Sequence, residues 1–492
     1  MDRFKGRTLR LFYPILIIIL FFLSFIEIIF LLNLRIREFL FIFFLFIGIV
    51  LIILNNEFAF FYILTYLLFM PFLRRVLLLY EKYSPIEILY LVPDILILFQ
   101  FSYIFLSKIE NFKKILSYNE FKVLFFLQIL MFLEIFNPIQ GPLIVGFGGA
   151  KFLLIPSLLA YIAFFNKDIY CKKIKNFIIY VGLISLFYAY LQVEKSYFSY
   201  EKKWLINVKA EYGSLFEFFN SKVRPFSFFS SVSEFGQFMA VSSLLSLFFL
   251  KNKIKFLLFP LFIFGIYISG VRSSFYMLFF SIIFYLIFKR TKNYRKLLNV
   301  FLLIFISYVI LVSIINLPDI DTGTLQGRFL QGIFDPLRRG SSFLIRLNAW
   351  IGFLINAITV RPFGSGLGII TMASRRFYIP GPTVESTFFG MFVACGFLGG
   401  FLLFYLVISI IFKSIKSQKE IKEKISLPLI LIISISIGQL LTQYLIGAIF
   451  WSSIGLWVKN FYGNKHDKYK DNHFEKEEYV LERSLKQNQR KF

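Results

Sequence analysis

The sequence predicts an all-α, polytopic membrane protein with about 12–14 transmembrane helices and a large loop on the extracytoplasmic side. Three observations lead there. Of 492 residues, 58% are hydrophobic and only 17% are charged, whereas a soluble domain carries roughly a quarter charged residues. The apolar residues come in blocks of about 16 to 25, the length that crosses a hydrocarbon layer. Basic residues collect in the short stretches between those blocks. A soluble enzyme, a disordered chain and a secreted disulfide scaffold are excluded. The formal charge of +26 follows from the preference of Lys and Arg for cytoplasmic loops, so nucleic acid is not an expected partner. Cys171 and Cys395 cannot form a disulfide framework. The two histidines, His466 and His473, sit in a polar tail, which excludes a multi-histidine metal site in the membrane.

The elements follow in order. The basic start MDRFKGRTLR runs into an apolar block at 12–33, with no small-residue cleavage site after it, so an uncleaved first span is expected. Further blocks fall near 39–54, 57–73, 86–106, 122–138, 143–166, 177–193, 234–250, 255–270, 273–289, 297–316, 384–412, 426–444 and 446–460. The stretches 107–114, 166–175, 251–255, 289–296 and 413–424 are basic and fall on one side if spans alternate, which makes that side cytoplasmic. Arg74 and Arg75 fall on the opposite side and break the pattern. One membrane domain is expected over 1–460, with outer loops at about 194–233 and 317–383. The polar tail at 461–492 is expected in the cytoplasm. Within the long loop, 343–360 is helical in character. Arg346, Asn348 and Asn356 favour a membrane-surface position over a further span.

The chemistry concentrates in arginines. The chain has more Lys than Arg, yet the seven basic residues of 317–383 are all Arg: Arg328, Arg338, Arg339, Arg346, Arg361, Arg375 and Arg376. A guanidinium keeps its charge and offers a planar fork of donors that matches phosphate or carboxylate oxygens two at a time. The loop therefore reads as a site for a phosphate-bearing or acidic ligand; pairing with lipid headgroups, or with Asp319, Asp321 and Asp335, is the plainer alternative. Arg224, in KVRPFSFFSSVSEFGQFMA, and Arg272, in YISGVRSSF, each abut a span, where a charge is costly without a partner or a task. Glu385, where the outer loop re-enters the membrane, has the chemistry of a general base and equally that of an ion-pair partner. GSGLG at 364–368 follows no strand, so a flexible turn is expected there instead of a nucleotide loop. The pair Asp319 and Asp321 has a metal-binding spacing that is common by chance. Glu27, Asp94 and Glu134 read as structural groups or as members of a proton relay.

Taken together, RPFSFFSSVSEFGQFMA (224–240), SGVRSSF (269–275), RLNAWIGFLINAITVRPFGSGLG (346–368) and ESTFFGMFVACGFLGG (385–400) resemble, in order and spacing, the O-antigen polymerase and O-antigen ligase superfamily of bacterial envelope enzymes. NPIQGPLIVGFGGAKFLLIPSLL (137–159) resembles that family's mid-chain segment more loosely. The resemblance covers about residues 137–400. It implies a GT-C-like membrane fold and metal-independent, cofactor-free glycosyl transfer on the outer face of the inner membrane. It also implies an undecaprenyl-pyrophosphate-linked oligosaccharide as donor, with a chain-length regulator and a flippase as partners. In the ligases a histidine begins the post-loop helix; here Glu385 holds that position, which favours a polymerase. The resemblance makes Arg224 and Arg272 the pyrophosphate clamp and Glu385 the base. Arg346, Arg361, Arg375, Arg376 and Arg328 become further phosphate- or sugar-binding groups. A lipid-linked oligosaccharide flippase or transporter, an O-antigen ligase, and a scaffold whose loop binds an acidic glycan are the alternatives.

Overall fold

The structure is a computed structural model that describes residues 36–80, 82, 87–166, 170–212, 223–250, 253–290, 342–371, 373–374, 377, 379, 381–382, 384, 386–438 and 443–463. The expected spans at 12–33 and 297–316 and most of the tail lie outside them. Among the described residues the chain is helical and has no strand. The helices are α1 (Ile36–Leu54), α2 (Asn56–Leu77), α3 (Leu91–Ser107, led by a 3-10 turn at Ile88–Tyr90), α4 (Ile109–Ile115) and α5 (Asn119–Glu134). Next come α6 (Leu143–Phe152), α7 (Leu154–Ser157), α8 (Leu159–Phe165), α9 (Tyr170–Lys195), α10 (Ser199–Tyr212), α11 (Val232–Phe249), α12 (Ile254–Ser269) and α13 (Arg272–Arg290). The last are α14 (Ser342–Thr359), α15 (Thr387–Lys416), α16 (Lys419–Ile437) and α17 (444–463).

By length and composition, eight candidate spans are present among the described residues: α1, α2, α3 with its leading turn, α6–α8 as one broken span, α9, α11, α13 and α15. A ninth arises if α4 and α5, bent by 101°, count together. The apolar part of α14, Ile345–Thr359, is too short to cross by itself. It lies along α15, where Trp350 stacks on Phe389 with ring centres 5.3 Å apart. Helix α16 starts several residues before the apolar block, because Glu420 and Lys424 stand one turn apart on a polar first segment.

Helix α11 is the axis of the bundle. It packs against α9, α12, α13 and α16, and nearly every side chain from Val232 to Ser246 is buried. Such a helix needs neighbours that approach closely. Gly182 and Gly265 supply them: a Cβ at either would meet Ser242, Phe262 or Met239 within 3 Å.

Contacts sort the bundle into two ends. At one end Lys413 reaches Glu120 at 2.7 Å and the Tyr462 hydroxyl at 2.8 Å. Lys173 lies 3.8 Å from Glu57, and Lys175 and Lys422 donate to the carbonyls of Phe249 and Phe288. Lys459 donates to the Asn166 carbonyl, and Asn460 to the Lys424 carbonyl. The described parts of the basic stretches therefore gather at one end, as alternating spans require. Arg74 and Arg75 lie at the other end and are held by protein. Arg74 faces Glu87 at 3.9 Å, with its guanidinium 5.3 Å from the Tyr90 ring centre, and Glu87 also meets Arg37 at 3.5 Å. Arg75 is fully buried. The charge rule concerns loops, and these two side chains end a helix inside the protein.

Glu120 is buried while Lys413 is partly exposed. Lys413→Met should therefore leave a buried carboxylate short of its cation and cost about 2 kcal/mol, read as a lower unfolding midpoint in detergent. Ser409→Ala, which removes a hydroxyl 3.2 Å from the same carboxylate, should cost less.

Candidate functional site

At the end opposite the basic stretches, four chain segments converge on the start of α11. The first is 223–231. Proline at 225 forces Arg224 into an extended backbone. The Arg224 carbonyl accepts from the Tyr197 hydroxyl at 2.7 Å, and its Nε donates to the Ser269 carbonyl at 3.3 Å. The second segment is the turn 269–272. Gly270 ends α12 with φ +65°, a left-handed conformation that glycine adopts without Cβ strain. Arg272 then begins α13. The structure thus brings Arg224 against the backbone of the turn that carries Arg272, and both side chains are half-buried. Gly236 on α11 lets the turn in: a Cβ there would sit 2.8 Å from Ser269 Oγ and 2.9 Å from Ser274 Oγ.

The third and fourth segments are the starts of α15 and α17. Thr387 Oγ1 donates to the Gly438 carbonyl at 3.1 Å, and Gln443 Nε2 donates to Ser233 Oγ at 3.1 Å. Glu234 ties the cluster together. Ser231 caps α11 by accepting the Glu234 amide at 3.1 Å. The Glu234 carboxylate accepts the Ser230 amide and hydroxyl at 3.2 and 2.5 Å and faces the start of α17 at Leu445 and Ile446. One carboxylate thereby closes its own helix start and complements the positive end of α17. Glu234 was not among the expected site residues, although Ser-Val-Ser-Glu at 231–234 has the spacing of a capping box.

The other expected residues are distributed differently. Arg346 lies on α14 and is half-buried. Arg361 is exposed and donates to Ser365 Oγ at 2.9 Å. Arg328, Arg375, Arg376 and Glu385 lie outside the described residues, as do Asp319, Asp321, Asp335 and Glu27. Among the described residues, no three His, Cys, Asp or Glu side chains are placed to hold a metal ion.

The GSGLG segment is a packed crossing of three backbones, not the flexible turn expected. The Ser365 and Gly366 amides donate to the carbonyls of Val393 and Ala394, and Phe397 N donates to the Pro362 carbonyl. On its other side, Leu367 N donates to the Glu134 carbonyl, and Gly368 N to Gln140 Oε1. Gly364, Gly366 and Gly396 all have positive φ, at +100°, +101° and +67°. Gly396 also breaks α15 into two helical runs. The loosely resembling segment at 137–159 is the partner surface: a Cβ at Gly149 would meet Leu367 C at 2.3 Å. Glu134 anchors this crossing. Its carboxylate accepts Asn137 Nδ2 at 2.7 Å. Asp94 is likewise engaged, by Lys151 at 2.9 Å and by the Tyr444 hydroxyl, where the broken span α6–α8 meets the start of α17.

Compared with protein-family models, with curated proteins and with solved structures, the chain matches none. What the fold itself defines is an all-helical protein with several helices fit to cross a membrane, compatible with a multi-pass membrane protein.

Gly396→Ala would meet the Pro362 carbonyl at 2.0 Å in a left-handed backbone. It should lower stability by about 1 kcal/mol or more and speed hydrogen exchange across 362–368. Gly352→Ala, with nothing within 4 Å of the added Cβ, should leave stability unchanged or slightly raised.

Proposed function

We propose that the chain polymerises oligosaccharide repeat units carried on undecaprenyl pyrophosphate, as part of bacterial surface-polysaccharide assembly. On this reading it resides in the inner membrane and works at the periplasmic face. The observation that supports it most is the seating of Arg224 against the turn that carries Arg272, at the end away from the basic stretches. In the reaction, the bond from the donor sugar's anomeric carbon to the diphosphate oxygen breaks. An acceptor hydroxyl on a second lipid-linked unit forms the new glycosidic bond, and its proton passes to a base, for which Glu385 is the candidate. The electron pair of the broken bond leaves with the diphosphate, which gains negative charge. Fixed guanidinium groups in poorly screened surroundings stabilise that charge strongly. Arg224 and Arg272 take this role, and Arg328, Arg346, Arg361, Arg375 and Arg376 contact phosphate or sugar. Apolar flanks accommodate the polyprenyl chain. A chain-length regulator and a flippase are the expected partners.

A second reading is a transporter for the same lipid-linked sugars. The observation favouring it is the discontinuity of α6–α8 beside the buried Lys151–Asp94 pair, since broken helices with charge at depth recur in transporters. Ligation onto lipid A core is less favoured, because Glu385 stands where the ligases carry histidine.

Deletion in the host separates these readings. Loss of a polymerase should leave single capped repeat units and abolish the ladder on a gel. Loss of a ligase should accumulate long polymer on the carrier lipid, and loss of a transporter should trap units inside. In the complemented strain, Arg224→Ala and Arg272→Ala should each lower polymer formation by about a hundredfold or more. Full ladders from both would remove the clamp assignment. Near-normal polymer from Glu385→Gln would remove the base.

A further inference from the structure

We propose that Arg75 is a positioning residue that sets where the Arg224 guanidinium stands, an inference that rests on the reading of Arg224 as a diphosphate ligand. Arg75 ends α2, far from Arg224 in sequence, and its side chain is completely buried. A guanidinium removed from water is tolerated only if its donors and its charge are answered by protein. The answers to its two terminal nitrogens come from the chain around Arg224, while Nε is left without a hydrogen-bond partner among the described residues. Arg75 Nη1 donates to the Phe229 carbonyl at 2.8 Å, and Nη2 donates to the Ser227 carbonyl at 2.5 Å. The guanidinium carbon lies 4.5 Å from the Phe226 ring centre and 5.6 Å from that of Trp204. The fork of Arg75 therefore grips Phe226, Ser227 and Phe229, among the four residues that follow Arg224-Pro225.

That grip holds a backbone that would not stand alone. Ser227 has φ +54°, a left-handed conformation disfavoured for a residue with a Cβ. Gln192 on α9 supports the same bend from the other side. Its Oε1 accepts the Phe226 and Ser227 amides at 3.1 and 2.8 Å, while Ser227 Oγ donates to the Ser185 carbonyl. Gln192 Nε2 donates to Glu201, the buried carboxylate that is Arg75's leading opposite charge. Tyr197 completes the frame through its hydroxyl bond to the Arg224 carbonyl. Burial holds the Tyr197 phenol above its usual range, with the charges of Arg224 and Arg75 acting against that, so it remains a donor near neutral pH.

A lysine could balance Glu201, but it cannot span two carbonyls with a planar fork. A residue present only for stability has no reason to grip the one segment that aims the clamp. Arg75 touches no substrate on this account; it acts through the Ser227 bend. The separation between α2 and this segment is long-range, so the arrangement depends on the assembled bundle.

The test is a double-mutant cycle on the full-length protein in nanodiscs. The donor is the polyprenyl-diphosphate oligosaccharide that accumulates in the deletion host. Arg75→Met should lower kcat by about a hundredfold, as expected when a reacting group is displaced by about 1 Å. Arg75→Lys should recover little of it. In an Arg224→Ala background the same Arg75→Met change should cost less than about threefold, because the group it positions is gone. Hydrogen exchange at the Phe226 and Ser227 amides should rise in Arg75→Met. Tyr197→Phe, which removes the hydroxyl bond to the Arg224 carbonyl, should lower kcat by about fivefold with the same non-additivity, and it carries the test if Arg75→Met does not fold. Normal polymerisation by Arg224→Ala would overturn the diphosphate reading itself. An impaired Arg224→Ala beside normal Arg75→Met or Tyr197→Phe, or losses that simply add, would overturn the positioning role and leave the diphosphate reading intact.

Discussion

A cation sealed away from water has to find its acceptors in the polypeptide, and that constraint organises the end of the bundle where Arg224 and Arg272 lie. Arg75 takes two carbonyls from a bend that is itself strained, and the bend in turn launches α11. Glu201 balances the charge and Gln192 ties the carboxylate to the bend. These polar groups are bonded to one another, so removing Arg75, Gln192 or Glu201 leaves a partner unpaired in an apolar interior. Four helices, α2, α9, α10 and α11, are held in one relation by side chains that in a soluble protein would face solvent.

The same logic appears twice more at different depths. Glu234 accepts from its own helix start and faces the start of α17, and Asp94 holds Lys151 and Tyr444 where the broken span meets that same helix. Breaks in helices at membrane depth leave backbone donors and acceptors that must be satisfied inside the protein. At the break at Gly396, backbone satisfies backbone: the 362–368 segment lies so close to 134–149 and 393–397 that only hydrogen atoms fit between them.

Segregation of lysine and arginine now has a structural counterpart. The lysines of the basic stretches mostly reach carbonyl groups, carboxylates and ring edges at one rim, contacts that a flexible point charge makes well. At the other rim, two buried or half-buried arginines contact backbone carbonyls through geometry that lysine does not offer.

What could be read from residues alone was whatever adds up one residue at a time. Apolar block length identified α1, α2, α3, the 143–165 span, α9, α11, α13 and α15, and loop charge identified which ends share a rim, because hydropathy and charge are local sums. Proximity of Arg224 to the Arg272 turn was legible only through resemblance, since no local rule joins positions 45 residues apart. The role of Arg75 was not legible: as a loop charge it looked misplaced, and only the fold turns it inward onto residues some 150 positions away. Glycines at 364–368 looked like a hinge because positive φ suits turns; the crossing of three backbones that uses the missing Cβ is a property of packing. Glu234 carried a local capping signal, but its approach to the start of α17 joins segments that meet only when the whole bundle is assembled.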